Sequence, residues 1–561
     1  LTFVTNWPDY TQPRGAALLT RRQFHHSLMA SLAMGLASVP ARAAAAPKSA
    51  LFMNRLSFGV VVNAEDLSPN PMIWLEDQLA LPASDPALDA RLDAARLHIS
   101  YPAGRDENGN DWPATDELRP LAALAAPPEN YLHCIDWQQG MDYAERSRPA
   151  GEVIAAALIR AVHAPAQLRE VMTQFWHDHF NVNSQKDEFC AAFFPSYDAM
   201  LRAGAFGNFR NMLGHVARAP AMLYYLNNAD SRASPANENF ARELLELHTL
   251  GAATYLNDRY DDWHSVPKGS DGVALGYLDL DVYEVARAFT GWSVGDGRYI
   301  SEGVDAPKTG QFHYVEAWHD PYQKRVLGIE FSPNRAPMAD GDQVLDLLAR
   351  HPATARFVCR KIAVRLLSDA PSDGLVADLA QVFLAASDSA DQIAQVIRAL
   401  VAHPEFAATP PQKMRRPFEF LAALYRATGA EVTGTEAAQQ WQLMRAGWRQ
   451  HEYGPPTGHP DVLTPWTGAS TLNRYVDLAL YAHEDWFAVA SLDRAAQGGE
   501  TVGAYVARWA QRFGLEDLPE VIAATGSDPA TPMADYSAEE VAGLAHATIA
   551  FAALRPEFML R

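Results

Sequence analysis

The chain has 561 residues, too many for one ordinary hydrophobic core, and 48% of them are apolar, enough to fold two or three packed units. Lys and Arg number 46 against 67 Asp and Glu, a formal charge of −21, which argues against nucleic-acid binding and against docking on anionic lipid. Cys134, Cys190 and Cys359 are too few and too scattered for a disulfide framework or a thiolate metal site, and read as buried small apolar residues.

In chain order, Thr20-Arg21-Arg22-Gln23-Phe24 precedes a mildly apolar run, Ser27 to Val39, and then Ala41-Arg42-Ala43. Twin arginines before a short, Gly-containing run and a small-x-small site resemble a twin-arginine export signal over 1–43, which makes the protein periplasmic or secreted. A stable membrane anchor is not expected, since that needs about 20 apolar residues. Residues 44–150 read as an N-terminal helical segment, with helices over 46–100 and a polar, Pro-rich loop over 103–130. Residues 151–430 read as a central helical core. Its helices run from Val153 to Val162, from Pro165 to about Phe180, from Asn208 to Leu226 and over Asn237 to Gly251. A long acidic loop, 252–280, follows. After a helix from Asp281 to about Thr290, an alternating strand, Gln311 to Trp318, is expected to return through His319-Asp320-Pro321 to Arg325–Phe331 as a small hairpin. Helices resume from Asp342 to about Phe406, and a Gly/Pro-rich stretch, 453–468, interrupts a C-terminal helical region, 431–561. No βαβ alternation is present, so the expected fold is mainly α, a multi-helix globular fold with a small β-hairpin and long loops.

Candidate chemistry starts with Asn237–Gly251, NENFARELLELHTLG. On an ideal helix Glu243 and Glu246 share a face, and two carboxylates three residues apart repel unless a metal, an arginine or a shared proton lies between them. Arg242 is spaced to neutralise Glu238 or Glu246 in a salt-bridged face. His248 falls about 200° from Glu246, so no Glu-x-x-His bundle site is present. In the helix opened by Pro165, His179 takes a place on the stripe that Leu168, Met172 and Phe175 fill with apolar side chains. It reads either as a metal ligand or base, or as a core histidine bonded to a carbonyl. His177 lies about 200° from it, and the two could face one centre only if the helix unwound at Asp178. Glu284 and Arg287 suit a surface pair, or a clamp on an anionic substrate group. In His319-Asp320 the aspartate either starts a turn or orients the imidazole, with Lys324 close by. No G-x-S-x-G elbow, Walker loop, H-E-x-x-H or dinucleotide fingerprint stands out, which demotes common serine hydrolases and nucleotide enzymes.

Several of these pieces carry a family likeness. NRLSFG at 54–59, FWHDHF at 175–180, GNFRNML at 207–213, PAMLYYLNN at 220–228, NENFARELLELHTLG at 237–251, DVYEVARAFTGW at 281–292, HD at 319–320 with Lys324, and HPATARFVCRKI at 351–362 resemble the domain of unknown function 1800 family, a group of exported bacterial proteins. The resemblance implies a mostly helical protein and a setting beside exported proteins similar to sulfatases. Residues 252–280 depart from the family pattern, which usually has a shorter link there.

These observations lead to an expected site in which His177, His179, Glu243, Glu246, Glu284, His319 and Asp320 approach one pocket. His177, His179, Glu243, Glu246 and Glu284 would hold a divalent metal ion. His319 or Glu243 would move a proton, Glu246 and Asp320 would complete the catalytic set, and Arg242 or Arg287 would steady an anionic group. Metal-assisted hydrolysis is the expected reaction, with a carbohydrate or its sulfated form as substrate. A metal-dependent oxidoreductase and a non-catalytic partner of an exported sulfatase-like hydrolase are the two alternatives.

Overall fold

The computed structural model describes residues 48–59, 70–435, 437–481 and 490–561. The expected export segment, 1–43, lies outside them. Helices dominate the described residues, and the strands occur only as two-stranded antiparallel sheets, so the protein is mainly α. No described helix is long and apolar enough to cross a membrane.

Local chemistry accounts for most helix starts. Prolines open Pro71–Ala80, Pro86–Ala94, Pro352–Leu366 and Pro417–Thr428 at the first position, where the missing N–H would have no intrahelical partner. Asp187, Asn208 and Ser372 cap the helices that follow them by accepting from the backbone three residues on. The helix expected from Pro165 runs Gln167–His179. The one expected from Asn208 to Leu226 is two, Phe209–Arg218 and Pro220–Tyr225, because Pro220 cannot continue the hydrogen-bond ladder.

Two stretches differ from the sequence reading. Residues 96–120 form antiparallel ribbons, Arg96–Tyr101 against Thr115–Pro120 and Gly104–Arg105 against Asp111–Trp112, where helix end and loop were expected. The expected pairing of 311–318 with 325–331 is also corrected. Lys308–Tyr314 pairs instead with Trp292–Asp296, and Lys324–Val326 turns back at once on Ile329–Phe331. Alternation shows that a strand exists, but the partner follows from burial, and Trp292 and Val294 are completely buried. The 252–280 loop is ordered. It contains the short 3-10 segments Ala252–Thr254 and Asn257–Ser265, and its ends are tied where Leu256 N–H donates to the Tyr277 carbonyl (2.9 Å) and Tyr277 N–H to that of Thr254 (3.0 Å).

One contiguous cluster of buried residues takes members from Phe52 to Leu560. The Gln167–His179 helix lies within it, with Leu168, Val171, Met172 and Trp176 completely buried. The three cysteines are buried and unbridged, as expected.

Candidate functional site

The end of the Gln167–His179 helix sends three consecutive ionisable side chains into three different surroundings. His177 Nε2 lies 3.0 Å from Asp198 Oδ1. Asp198 stands on the Glu188–Ala203 helix, where Arg202 one turn later reaches it at 3.0 Å, and Arg160 from Arg148–His163 reaches its other oxygen at 3.2 Å. Arg202 also pairs with Glu170. The third member is His451, a non-glycine residue in the left-handed region (φ 59°), whose ring centroid is 4.2 Å from that of His177. The Gln450 amide holds His451 Nε2 at 3.0 Å and donates to Gln174 Oε1 at 2.8 Å. His177, Asp198 and His451 are all buried, and one ligand atom from each lies within 4.8 Å of the other two. A cavity of ≈ 20 Å³ bordered by all three has room for about one water molecule. Burial alone would raise the Asp198 carboxyl, but Arg202, His177 and Arg160 outweigh it and hold it well below the usual carboxylate range. Burial, reinforced by His177, pushes His451 well below an ordinary histidine, which leaves its ring neutral near pH 7.

Asp178 points elsewhere. Its carboxylate meets Arg416 at 2.7 Å and accepts from the His459 backbone at 3.3 Å. That contact depends on Gly458 (φ 71°), where any Cβ would run into the Asp178 carbonyl. Arg416 belongs to a buried ion network with Glu419, Arg365, Asp461 and Arg561.

His179 is a core histidine. The helix continues through it and ends at Phe180, so the unwinding at Asp178 that would let His177 and His179 face one centre does not occur. Its Nε2–H donates to the His248 carbonyl at 3.1 Å, which fixes the tautomer and leaves Nδ1 a bare acceptor without a partner among the described residues. Phe175 stacks on it at 5.9 Å, and burial holds its pKa well below normal.

The Asn237–Gly251 segment is not the regular helix expected. Asn239–Glu243 is α, and Leu244–Thr249 is a π-helix, shown by Leu250 N–H donating to the Leu245 carbonyl at 2.9 Å. π-turns often accompany functional sites. His248, on this turn, is completely buried, and neither ring nitrogen has a partner among the described residues; burial and Lys361 push its pKa down to about 3. Glu243 and Glu246 are half-buried, and neither carboxylate has a hydrogen bond or ion pair among the described residues. Burial and the charge of Glu246 raise the Glu243 carboxyl, with Arg242 opposing. Arg242 itself turns to Asp279 (3.2 Å) and Glu238 (3.6 Å).

The remaining candidates form a separate, internally paired cluster. Arg287 grips Asp320 with two hydrogen bonds (2.8 and 3.0 Å) and Glu284 with two more (2.8 and 3.0 Å). His319 is oriented by Asp340 (3.3 Å) and the Thr290 carbonyl (3.0 Å), not by Asp320. Buried Lys324 joins Asp340 at 2.7 Å to the Asp320 carbonyl at 2.6 Å.

Of the seven residues expected in one pocket, only His177 lines the small cavity beside Asp198 and His451. No hydrogen bond or ion pair among the described residues links His177, the Glu243/Glu246 pair and the Arg287 cluster. Sequence reasoning missed Asp198, His451 and Asp340. Asp198 carried a usable signal, an acid inside the apolar run FCAAFFPSYDAML with Arg202 one turn on. His451 carried none, because its position depends on a loop with left-handed backbone.

Many of the segments gathered at this helix end also carry the sequence likeness: FWHDHF, the π-turn and the Pro352–Leu366 helix. No curated protein and no solved structure matches the chain. The family model described as "Protein of unknown function (DUF1800)" matches residues 51–560, nearly the whole of it, and the chain belongs to that family.

Proposed function

We propose that the protein is an exported, metal-dependent hydrolase whose divalent ion is held by His177, Asp198 and His451. The observation that carries this reading is the convergence of two imidazoles and a carboxylate, from three distant segments, beside a cavity of one water's size. Three protein ligands with one position left for water are the usual pattern of a catalytic metal site. The 3.0 Å contact between His177 and Asp198 is hydrogen-bonding distance, and an ion held there would displace the shared proton. His451 is neutral, but its one lone pair, on Nε2, accepts from Gln450, which would have to swing aside for the ring to ligate. Asp198 can serve only if Arg202 moves further onto Glu170, its second partner. A bound ion would lower the pKa of a water in the cavity, and Gln174 and Gln450 stand beside that position. Carbohydrate esters, sulfated ones among them, are the proposed substrates, and the twin-arginine segment supports export to the periplasm.

Elemental analysis of protein exported through its own leader tests the reading. About one equivalent of a divalent metal other than iron or copper is expected, lost in both His177→Ala and His451→Ala, together with hydrolysis of sugar sulfate or phosphate esters. Metal-free wild-type protein whose melting temperature ignores both chelator and added ions would sink it. A redox-active iron or copper would point to an oxidoreductase. A second reading, a non-catalytic partner of an exported sulfatase-like hydrolase, is favoured by the complete mutual pairing of Glu284, Arg287, Asp320, Lys324 and Asp340. Co-purification with such a hydrolase, in the absence of metal, would support it.

A further inference from the structure

A cleft of ≈ 550 Å³ lies between the Glu188–Ala203 helix, the Phe209–Arg218 helix and the Lys308–Tyr314 strand. Its size falls within the range of small-molecule sites. Met200, Met212, Pro220 and Phe312 give it an apolar lining. Methionines suit a flexible apolar occupant, because an unbranched thioether chain adapts to irregular shapes. Asn211 and His215, one helical turn apart, and Gln311 on the strand supply polar groups at the same cleft. None of these three side chains has a hydrogen bond to another described residue, so their donors and acceptors are available to a ligand. Among the described residues lining the cleft, Arg218 is the one fixed cation, and it is already compensated. Arg218 pairs with Asp342 at 2.6 Å, donates to the Gly214 carbonyl at 3.1 Å and lies over the Trp292 ring at 4.5 Å. An anionic ligand would find no unpaired fixed cation among the described residues here.

We infer that this cleft binds a small uncharged amphiphile, an alkyl or acyl chain with a neutral polar head. The chain rests on Met200, Met212 and Phe312, and the head meets Asn211, His215 and Gln311. A sugar would need a denser set of hydrogen-bonding groups than these three side chains provide. The back wall is Tyr197, whose hydroxyl donates to the Phe180 carbonyl at 2.6 Å and whose ring lies 6.0 Å from that of His177. The ligand would therefore sit one residue along the helix from Asp198. The inference does not depend on a metal ion at His177, because the cleft is probed directly.

Fluorescence titration with the neutral dye N-phenyl-1-naphthylamine, followed by competition, tests it. Saturable dye binding is expected, with displacement by 1-decanol and displacement by decanoate or maltose at least about tenfold weaker, a difference of about 1.4 kcal/mol. Ala203→Trp fills the cleft from an exposed helix end, and should weaken dye and decanol about tenfold or more while leaving the melting temperature unchanged. In a stably folded Asn211→Ala/His215→Ala protein, decanol should lose more affinity than the dye. Absence of saturable binding, indifference to Ala203→Trp, or displacement by decanoate or maltose as effective as by decanol would overturn the inference.

Discussion

His177, Asp178 and His179 are adjacent in the chain, and each meets a different partner: a carboxylate, a guanidinium and a backbone carbonyl. Removing one partner from such a pair leaves a buried charge unanswered, which costs more than the pair itself contributes. Asp198→Ala strands Arg160 and leaves Arg202 with Glu170 alone, and should destabilise the protein by about 3–5 kcal/mol, read as a lower urea midpoint. The buried imidazoles also set an acid limit. His179, His248 and His451 all have pKa values below the ordinary 6.5, through burial first. The folded state therefore resists the proton that the unfolded chain accepts. The stability they contribute is complete above pH 6.5 and is lost as the pH falls toward each folded value. For His248, with a folded value of about 3, the loss by pH 4.5 is on the order of 2–3 kcal/mol. Asp198 and Glu419 work against acid only at lower pH, because both are held well below the usual carboxylate values. Urea midpoints from pH 7.5 to 4.5 should thus fall steeply in the wild type and less steeply in His248→Gln; equal slopes would refute the assignment.

Two turns of backbone position the elements around the Gln167–His179 helix, and both require glycine. Gly251 (φ 87°) ends the segment containing the π-turn, and a Cβ there would lie 2.8 Å from Phe357 Cδ2. Gly458 (φ 71°) brings the 451–461 stretch onto Asp178. Alanine at either site incurs a positive-φ penalty of about 1–3 kcal/mol, and at Gly251 (φ 87°, ψ 151°) the conformation is one that essentially only glycine adopts. Gly458→Ala should be the more damaging, because it meets a backbone carbonyl that cannot turn aside, whereas the Phe357 ring can shift. Thermal melts of the two variants test this order. Gly458→Ala should also lower metal content if the His451 loop is part of the site, since the same segment carries His451 and His459. The π-turn has a related consequence. With i to i−5 bonding, His248 leaves the position that a regular helix would give it, and the carbonyl it presents becomes the acceptor for His179.

The described residues pack as one unit because the chain's distant parts are joined through buried arginines. Arg55 in Lys48–Leu56 donates to the Phe406 carbonyl and lies 5.2 Å from the Phe406 ring. Arg415 repeats the arrangement, donating to the Phe558 carbonyl at 2.9 Å with the ring 5.5 Å away, and it also reaches Asn54 at 2.7 Å. The sequence Pro-Glu-Phe occurs at both places, 404–406 and 556–558, and Pro404 and Pro556 each open a short helix whose phenylalanine supports a buried arginine. Beside them, Glu419 neutralises Arg365, Arg416 and Arg561 at once. Glu419→Gln should therefore destabilise the whole molecule by about 3–5 kcal/mol. In the wild type, tryptophan fluorescence and far-UV dichroism should report one coincident unfolding transition. Separate transitions for the two probes would show that the core is not a single cooperative unit.

Apolar period, first-turn prolines and side-chain caps determined the mainly α class and the approximate limits of the Gln167–His179 and Asp279–Ala288 helices, because these are interactions within a few residues. The same local rules placed His177 and His179 on opposite sides of their helix, which the structure retains. Tertiary structure decided the rest: that Trp292–Asp296 is the partner of Lys308–Tyr314, that Asp340 rather than Asp320 faces His319, and that Asp198 and His451 surround His177. Helical geometry sets the direction in which a side chain leaves its axis, but what it meets comes from segments as distant as Gln450 is from Gln174, 276 residues apart. That choice follows from burying apolar surface over the whole chain and satisfying every charge buried with it, a condition that no short stretch of sequence contains.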